Sequence, residues 1–375
     1  MAVYLSLTVI VLLLALLIKQ TDRAGGALRI YQGMSRQQMV NCVTCLIIFV
    51  LLFAVSALRL NVGNDYLKYV EFMHLAYSRA YVPTEIGFNA LARIVYFVCG
   101  FENYLLIFAM FAFATIYFFM KAMYEQSKWF TLSMVMFMLL GYYFQSLSTV
   151  RYYLALSVAL YAVKFVVNRD WPRFVLITLI GSLFHKSLLL ILLLYVVAQL
   201  KWRRWMYVGL GLLGASCLVL KDFYLKVVIL LYPSYKDTEY LEGGTSIVNI
   251  VRCIVILAFS LWMYKDVIRD SRADRFYFIC NIMAMVLYVF GAFIPVISRV
   301  GYYLTVTHLL FIPSLVMGIK DEDKRKLATA CVTIACVMYF ALYMRGAGND
   351  GIRILPYQTF LFHDLPLTLS ERGYY

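Results

Sequence analysis

The stretch "FVLITLIGSLFHKSLLLILLLYVVAQL", Phe174 to Leu200, is apolar almost throughout and carries His185 and Lys186 side by side near its middle. Its apolar residues follow one another without alternation, which reads as helix rather than barrel strand, and a helix satisfies its own backbone where water is absent. Drawn as one helix, the run would set Lys186 near the centre of a bilayer, at a cost of about 2.5–3.5 kcal/mol. Two short helices meeting at His185 avoid that cost and bring the pair to a membrane face, recessed in a cavity if the broken ends line one.

Working outward, comparable runs recur near 3–18, 39–58, 103–120, 129–147, 152–167, 173–184, 187–200, 205–220, 248–264, 276–294, 300–318 and 326–343. With 63% hydrophobic and 14% charged residues, the expectation is an all-α, polytopic integral membrane protein with about 12 transmembrane helices plus one re-entrant or interfacial helix. That extra helix is 85–99, which is short and sets Glu85, Asn89 and Arg93 four residues apart, as one polar stripe facing the interior. One membrane domain over 1–375 is expected, with 221–247 as an outer loop. Within it, Gly243 and Gly244 would let Pro233 to Ser246 hinge as a lid.

The net charge of +14 is not a nucleic-acid signature. The segments 19–38, 121–128, 164–173, 201–204, 265–275 and 320–326 hold 20 of the 34 Lys and Arg residues, as inward-facing loops do. The opening "MAVYLSLTVIVLLLALLIKQTDR" has no positive charge before its apolar core and two after it, the reverse of a secretory signal, so it is expected to stay as a helix entering from outside. The eight cysteines are scattered, and Cys42 and Cys45 lie in an apolar segment, which suits buried thiols better than redox or metal work.

Two generic motifs are set aside. "GLGLLG", Gly209 to Gly214, follows no strand and lies inside a span, so close helix packing through small residues is the better reading than dinucleotide binding. "DED", Asp321 to Asp323, is flanked by Lys320, Lys324, Arg325 and Lys326 as in a solvated loop. More telling are cations at the outer ends of spans, where the inward bias gives no reason for them: Arg59 in "RLNVGNDYLKY", Arg151 in "STVRYYLA", Lys186 in "HKS", Arg252, Arg299 in "SRVGYY" and Arg353 in "RILPY". Several from separate helices point to an anion site, since guanidinium forks suit phosphate in a partly dry cavity. A diphosphate on a long lipid tail would use both the cations and the apolar walls.

The sequence resembles the EpsG-like, Wzy-type polysaccharide polymerases of bacterial membranes. The likeness rests on Arg59 with "VGNDYLKY", "EIGFNAL" from Glu85, "STVRYYLALSVALYA" around Arg151, "LFHKSLLLI" around His185, "SRVGYYL" around Arg299 and "RILPY", from about residue 59 to 357. Asn64 stands where a small hydroxylated residue such as Thr is expected, while Asp65 is kept. The resemblance implies transfer of a growing glycan from undecaprenyl diphosphate to a lipid-linked repeat unit, at the outer face of the bacterial cytoplasmic membrane. It calls for no cofactor and no metal. Its implied partners are an undecaprenyl diphosphate-linked oligosaccharide and membrane lipid, with a chain-length regulator as an optional third.

Roles follow from charge and position. Arg59, Arg151 and Arg299 are the first candidates to hold diphosphate, with Arg252 and Lys186 secondary, and Glu85 and Tyr302 complete the set. His185 or Asp65 would act as general base on the acceptor hydroxyl. The bland alternatives are a helix-end cap for His185 and a loop-shaping salt bridge for Asp65. The competing function is a lipid-linked oligosaccharide flippase. It is disfavoured because no internal repeat is visible and the charges gather at one face. A membrane acyltransferase would need His185 on the cytoplasmic side, and a purely structural protein would not need so many outward arginines.

Overall fold

The computed structural model describes residues 1–19, 35–220, 222–224, 226, 247–290, 296–365, 368, 369, 371 and 373. The proposed lid, Pro233 to Ser246, lies outside the described residues. Helices dominate, and among the described residues the one extended pairing is an isolated antiparallel bridge between Arg59 and Thr359. This is a helical membrane protein. Among the described residues, five helical stretches are long and apolar enough to cross a bilayer: Arg36–Ala57, Tyr104–Gln126, Val150–Val167, Glu322–Arg345, and Arg299–Met317, which runs through a turn at Val306 and Thr307. Six further apolar helices among the described residues are shorter, so length and composition alone do not supply the expected count of about 12.

The chain divides into two compact units. The first comprises Met1–Tyr161, Leu176–Leu188 and Asp321–Tyr375; the second comprises Ala162–Val175 and Leu189–Lys320. In the first, α1 (Ala2–Ala15) packs on α2 (Arg36–Ala57), and α3 (Tyr66–Tyr77) packs on α4 (Ile86–Cys99). The long α5 (Tyr104–Gln126) then packs on α2, α4, α6 (Phe130–Leu139) and α7 (Tyr142–Ser146). Local chemistry sets the ends. Ser35 and Gln38 form a reciprocal capping box at the start of α2, and Asn41 ties the end of α1 to α2 through both Lys19 main-chain groups at 3.1 and 2.8 Å.

One expected span is broken and one expected break is present. The run 129–147 divides at Gly141, whose φ of +78° lies in the left-handed region that glycine enters without strain. The run 173–200 divides where the sequence suggested: α9 (Trp171–Ser182) ends short of His185, a 3-10 turn covers Lys186–Leu189, and α10 (Leu190–Gln199) follows. Gly181 makes the bend tight, since a Cβ there would meet Leu188 Cδ2 at 2.4 Å.

In the second unit, α8 (Val150–Val167) contributes its last residues, and α11 (Arg204–Val219) and α12 (Ile247–Trp262) pack on a central α13 (Arg272–Phe290). That helix also meets α10, α14 (Val296–Thr305) and α15 (His308–Met317). The chain closes with α16 (Glu322–Arg345), which belongs to the first unit and packs on α6. Asp321 caps it, accepting from the Asp323 and Lys324 N–H groups at 3.0 and 3.1 Å, which gives the acidic "DED" an ordinary structural task. The glycines of "GLGLLG" depart from expectation. A Cβ on Gly209 or Gly211 would meet nothing within 4 Å, so these two do not serve close helix packing among the described residues.

Candidate functional site

Glu85 precedes the first turn of α4, in the position of a helix cap, yet its carboxylate does not cap that helix. It is drawn instead to three groups from two other parts of the chain. Glu85 Oε2 forms an ion pair with Arg151 Nη1 on α8. Glu85 Oε1 lies 3.4 Å from His185 Nδ1 and accepts the Lys186 main-chain N–H at 3.1 Å. Gly87 allows the approach: its N–H donates to the Leu183 carbonyl at 2.8 Å, and a Cβ on it would stand 2.6 Å from that same oxygen.

The cluster is mostly enclosed, with the Arg151, Glu85 and His185 side chains 16%, 14% and 21% exposed. The Arg151 guanidinium lies over the Tyr69 and Phe88 rings, at 5.4 and 5.2 Å to their centroids. The His185 ring meets the edge of Tyr152, 5.6 Å between centroids. Burial works against ionisation of Glu85, but the His185 hydrogen bond, the Arg151 charge and the Lys186 N–H outweigh it and lower its pKa to about 2. Glu85 is therefore a fixed anion. Among the described residues the His185 ring makes no helix-capping bond; its Nδ1 faces the Glu85 carboxylate.

Asp65 sits half-buried just ahead of α3 and makes no side-chain cap bond to it. It connects to the cluster through Tyr69. Burial raises the pKa of this phenol and the Asp65 carboxylate pushes the same way, while Arg151 pulls it down by its charge and a hydrogen bond. Tyr69 is a member the sequence reading passed over, although it ends the quoted "YLKY". The loop bearing Asp65 is held from two sides. Asn64 and Ser148 exchange hydrogen bonds through their side chains and the Asn64 N–H, Asn64 Nδ2 donates to the Gly351 carbonyl at 3.1 Å, and Gly63 donates to the Arg353 carbonyl at 2.8 Å.

Arg59 is placed differently from a solvent-facing cation. It is 2% exposed, its guanidinium donates to the Ser56 carbonyl and lies 5.0 Å over the Phe108 ring, and its Nε has no hydrogen-bond partner among the described residues. Burial lowers its pKa, against the opposing influence of Tyr66, Tyr4, Tyr143 and Tyr357 around it. Two of these tyrosines fasten neighbouring segments, Tyr4 to the Ile354 carbonyl and Tyr357 to the Val55 carbonyl, both at 3.0 Å.

Within one unit, then, the structure brings together Glu85, Arg151, His185 and Lys186, with Asp65 linked to them through Tyr69. Arg252, half-buried on α12, belongs to the second unit, as do exposed Arg299 and half-buried Tyr302 on α14. The sequence reading also passed over His308 in that unit. It is 1% exposed, neither ring nitrogen has a hydrogen-bond partner among the described residues, and Arg252 acts on it electrostatically. A lone His in the apolar run "THLLFIPSLVM" was the available signal.

The sequence model of the EpsG family matches residues 42–359. No curated protein and no solved structure matches the chain.

Proposed function

Because the chain belongs to the EpsG family, we propose that it is a polysaccharide polymerase of Wzy type, moving a growing glycan from undecaprenyl diphosphate to a lipid-linked oligosaccharide repeat unit. The observation that carries this reading is Glu85 joining Arg151 to the His185-Lys186 pair. A carboxylate holding Nδ1 of an imidazole fixes its tautomer and leaves Nε2 as a base. In the proposed step His185 Nε2 takes the proton of the acceptor hydroxyl, whose oxygen bonds to the anomeric carbon of the donor. The bond from that carbon to diphosphate breaks, and the lipid diphosphate leaves with the electron pair. Arg151 and Lys186 stabilise its charge. Asp65 is the second candidate base, and buried Arg59 holds the segment that carries it.

The reading includes the expected twelve-span topology in the bacterial cytoplasmic membrane, with the Glu85 cluster facing outward, and it needs no cofactor. The test uses purified protein in liposomes supplied with lipid-linked repeat units. His185→Ala and Arg151→Gln are expected to abolish chain elongation while the variants still melt cooperatively. Unchanged polymer length with His185→Ala and with Asp65→Asn would remove the catalytic assignment. Transbilayer movement of the lipid-linked unit without elongation by the wild type would replace the polymerase with a flippase.

A further inference from the structure

The face of α4 turned away from α3 and α5 is apolar and open. Phe88, Ala92, Val95 and Tyr96 are buried, while Ile86, Ala90, Ile94, Phe97 and Val98 are exposed, Phe97 by 82% and Val98 by 76%. With 14 residues the helix is about 21 Å long, short of a hydrocarbon core of roughly 30 Å. Exposed Tyr81 and Phe101 stand beyond its two ends, as aromatic residues do at a membrane interface.

Two cations break this apolar surface. Arg93 does not extend an interior polar stripe with Glu85 and Asn89: Glu85 serves the site above, Asn89 bonds Thr84, and Arg93 is exposed beside Ile94. Arg93 Nε donates to the Ala76 carbonyl at 2.6 Å, which anchors the guanidinium and covers a carbonyl at the negative end of α3 that would repel an anion. Arg79 follows in the turn between the helices at φ +60°, an uncommon conformation for a side-chain-bearing residue. Arg79 and Arg93 line one cavity of about 300 Å³ with Tyr77, Ile94 and Phe97. Neither has an acidic partner among the described residues.

We infer that this cavity is a binding site for the phosphate of an anionic phospholipid, with Arg79 and Arg93 holding the phosphodiester and Ile94 and Phe97 lying along the acyl chains. The chemistry is complementary in both halves: two guanidinium forks for phosphate oxygens, and an adjoining apolar face that water-soluble phosphate would leave bare. The site is separate from the Glu85 cluster and does not depend on the polymerase reading.

The test is native mass spectrometry of the full-length protein released from nanodiscs of phosphatidylcholine containing phosphatidylglycerol. Wild type is expected to retain phosphatidylglycerol preferentially. Arg79→Gln or Arg93→Gln should lower that preference roughly fivefold, and the double variant roughly 30-fold. Should the double variant not accumulate, Arg79→Gln alone, in an exposed turn, carries the comparison. Equal retention of phosphatidylcholine, or a preference unchanged by the substitutions, would reduce the surface to ordinary lipid contact and overturn the inference. Displacement of the lipid by inorganic phosphate would make it a free-anion site, and tighter retention of undecaprenyl phosphate than of phosphatidylglycerol would make it a carrier subsite; either result overturns it.

Discussion

Glu85 and Lys186, 101 residues apart in the chain, are joined directly: the Lys186 main-chain N–H donates to Glu85 Oε1 at 3.1 Å. Because the bond is to backbone, it positions the break between α9 and α10 whatever the Lys side chain does. The same carboxylate holds Arg151 and His185, so one residue sets the register of three motifs.

Replacing Glu85 by Gln keeps an acceptor for the Lys186 N–H but leaves the largely buried Arg151 without its anion. The expected loss is about 3 kcal/mol, read as a fall in the melting temperature of the detergent-solubilised protein. Adding Arg151→Met should recover most of that stability while chain elongation stays absent.

The acid limb of stability follows from the same carboxyl. Its pKa is about 2 in the folded protein against 4.5 for the free group, so its contribution is whole above pH 4.5 and drains away as pH falls toward 2. Thermal melts across that window should show wild type losing stability relative to Glu85→Gln, and the two curves converging at the acid end. A constant gap between them would contradict the pairing.

Gly87→Ala should be severe, because its Cβ would stand 2.6 Å from the Leu183 carbonyl oxygen, and Gly63→Ala likewise, at 2.6 Å from the Leu147 carbonyl oxygen with φ +106°. Gly209→Ala and Gly211→Ala meet nothing within 4 Å and should gain up to about 1 kcal/mol from helix propensity. Membrane protein yield and melting temperature for the four variants check both directions.

A second buried pair fastens α3 to the loop after α4. His74 Nδ1 and Glu102 Oε1 are 2.5 Å apart with both side chains nearly enclosed, and Glu102 Oε2 has no hydrogen-bond partner among the described residues. His74→Ala should cost about 3–5 kcal/mol and expose the helix pair to limited proteolysis. His74→Phe combined with Glu102→Leu should restore protection.

The broken helix at His185 was legible because a charged pair in an apolar run has few places to go, and Arg151 and His185 were each legible as polar groups at the ends of apolar runs. Glu85 was legible as a polar residue but not as their common partner, since no local pattern announces a contact across 66 residues to Arg151. Arg59 was misread in its setting for a related reason. Its place at the end of an apolar run suggests an accessible cation, whereas it is 2% exposed, lies 5.0 Å over the Phe108 ring and feels the distant Tyr4, Tyr143 and Tyr357 electrostatically. The lengths of the helices were the least legible feature: hydropathy marks apolar stretches but is blind to the Gly141 break and to the turn between Thr305 and His308.

The bond from Arg353 Nη2 to Asn61 Oδ1, at 2.6 Å, spans 292 residues, and it gives assembly a timetable. At ordinary synthesis rates the Asp65 loop waits roughly 15–60 s for the segment that braces it, and the whole second unit is translated in that interval. Membrane insertion of the early helices must therefore precede completion of the site, and a nascent chain halted before "RILPY" would present its buried Arg59 and the surrounding tyrosines uncovered to the quality-control proteases of the membrane.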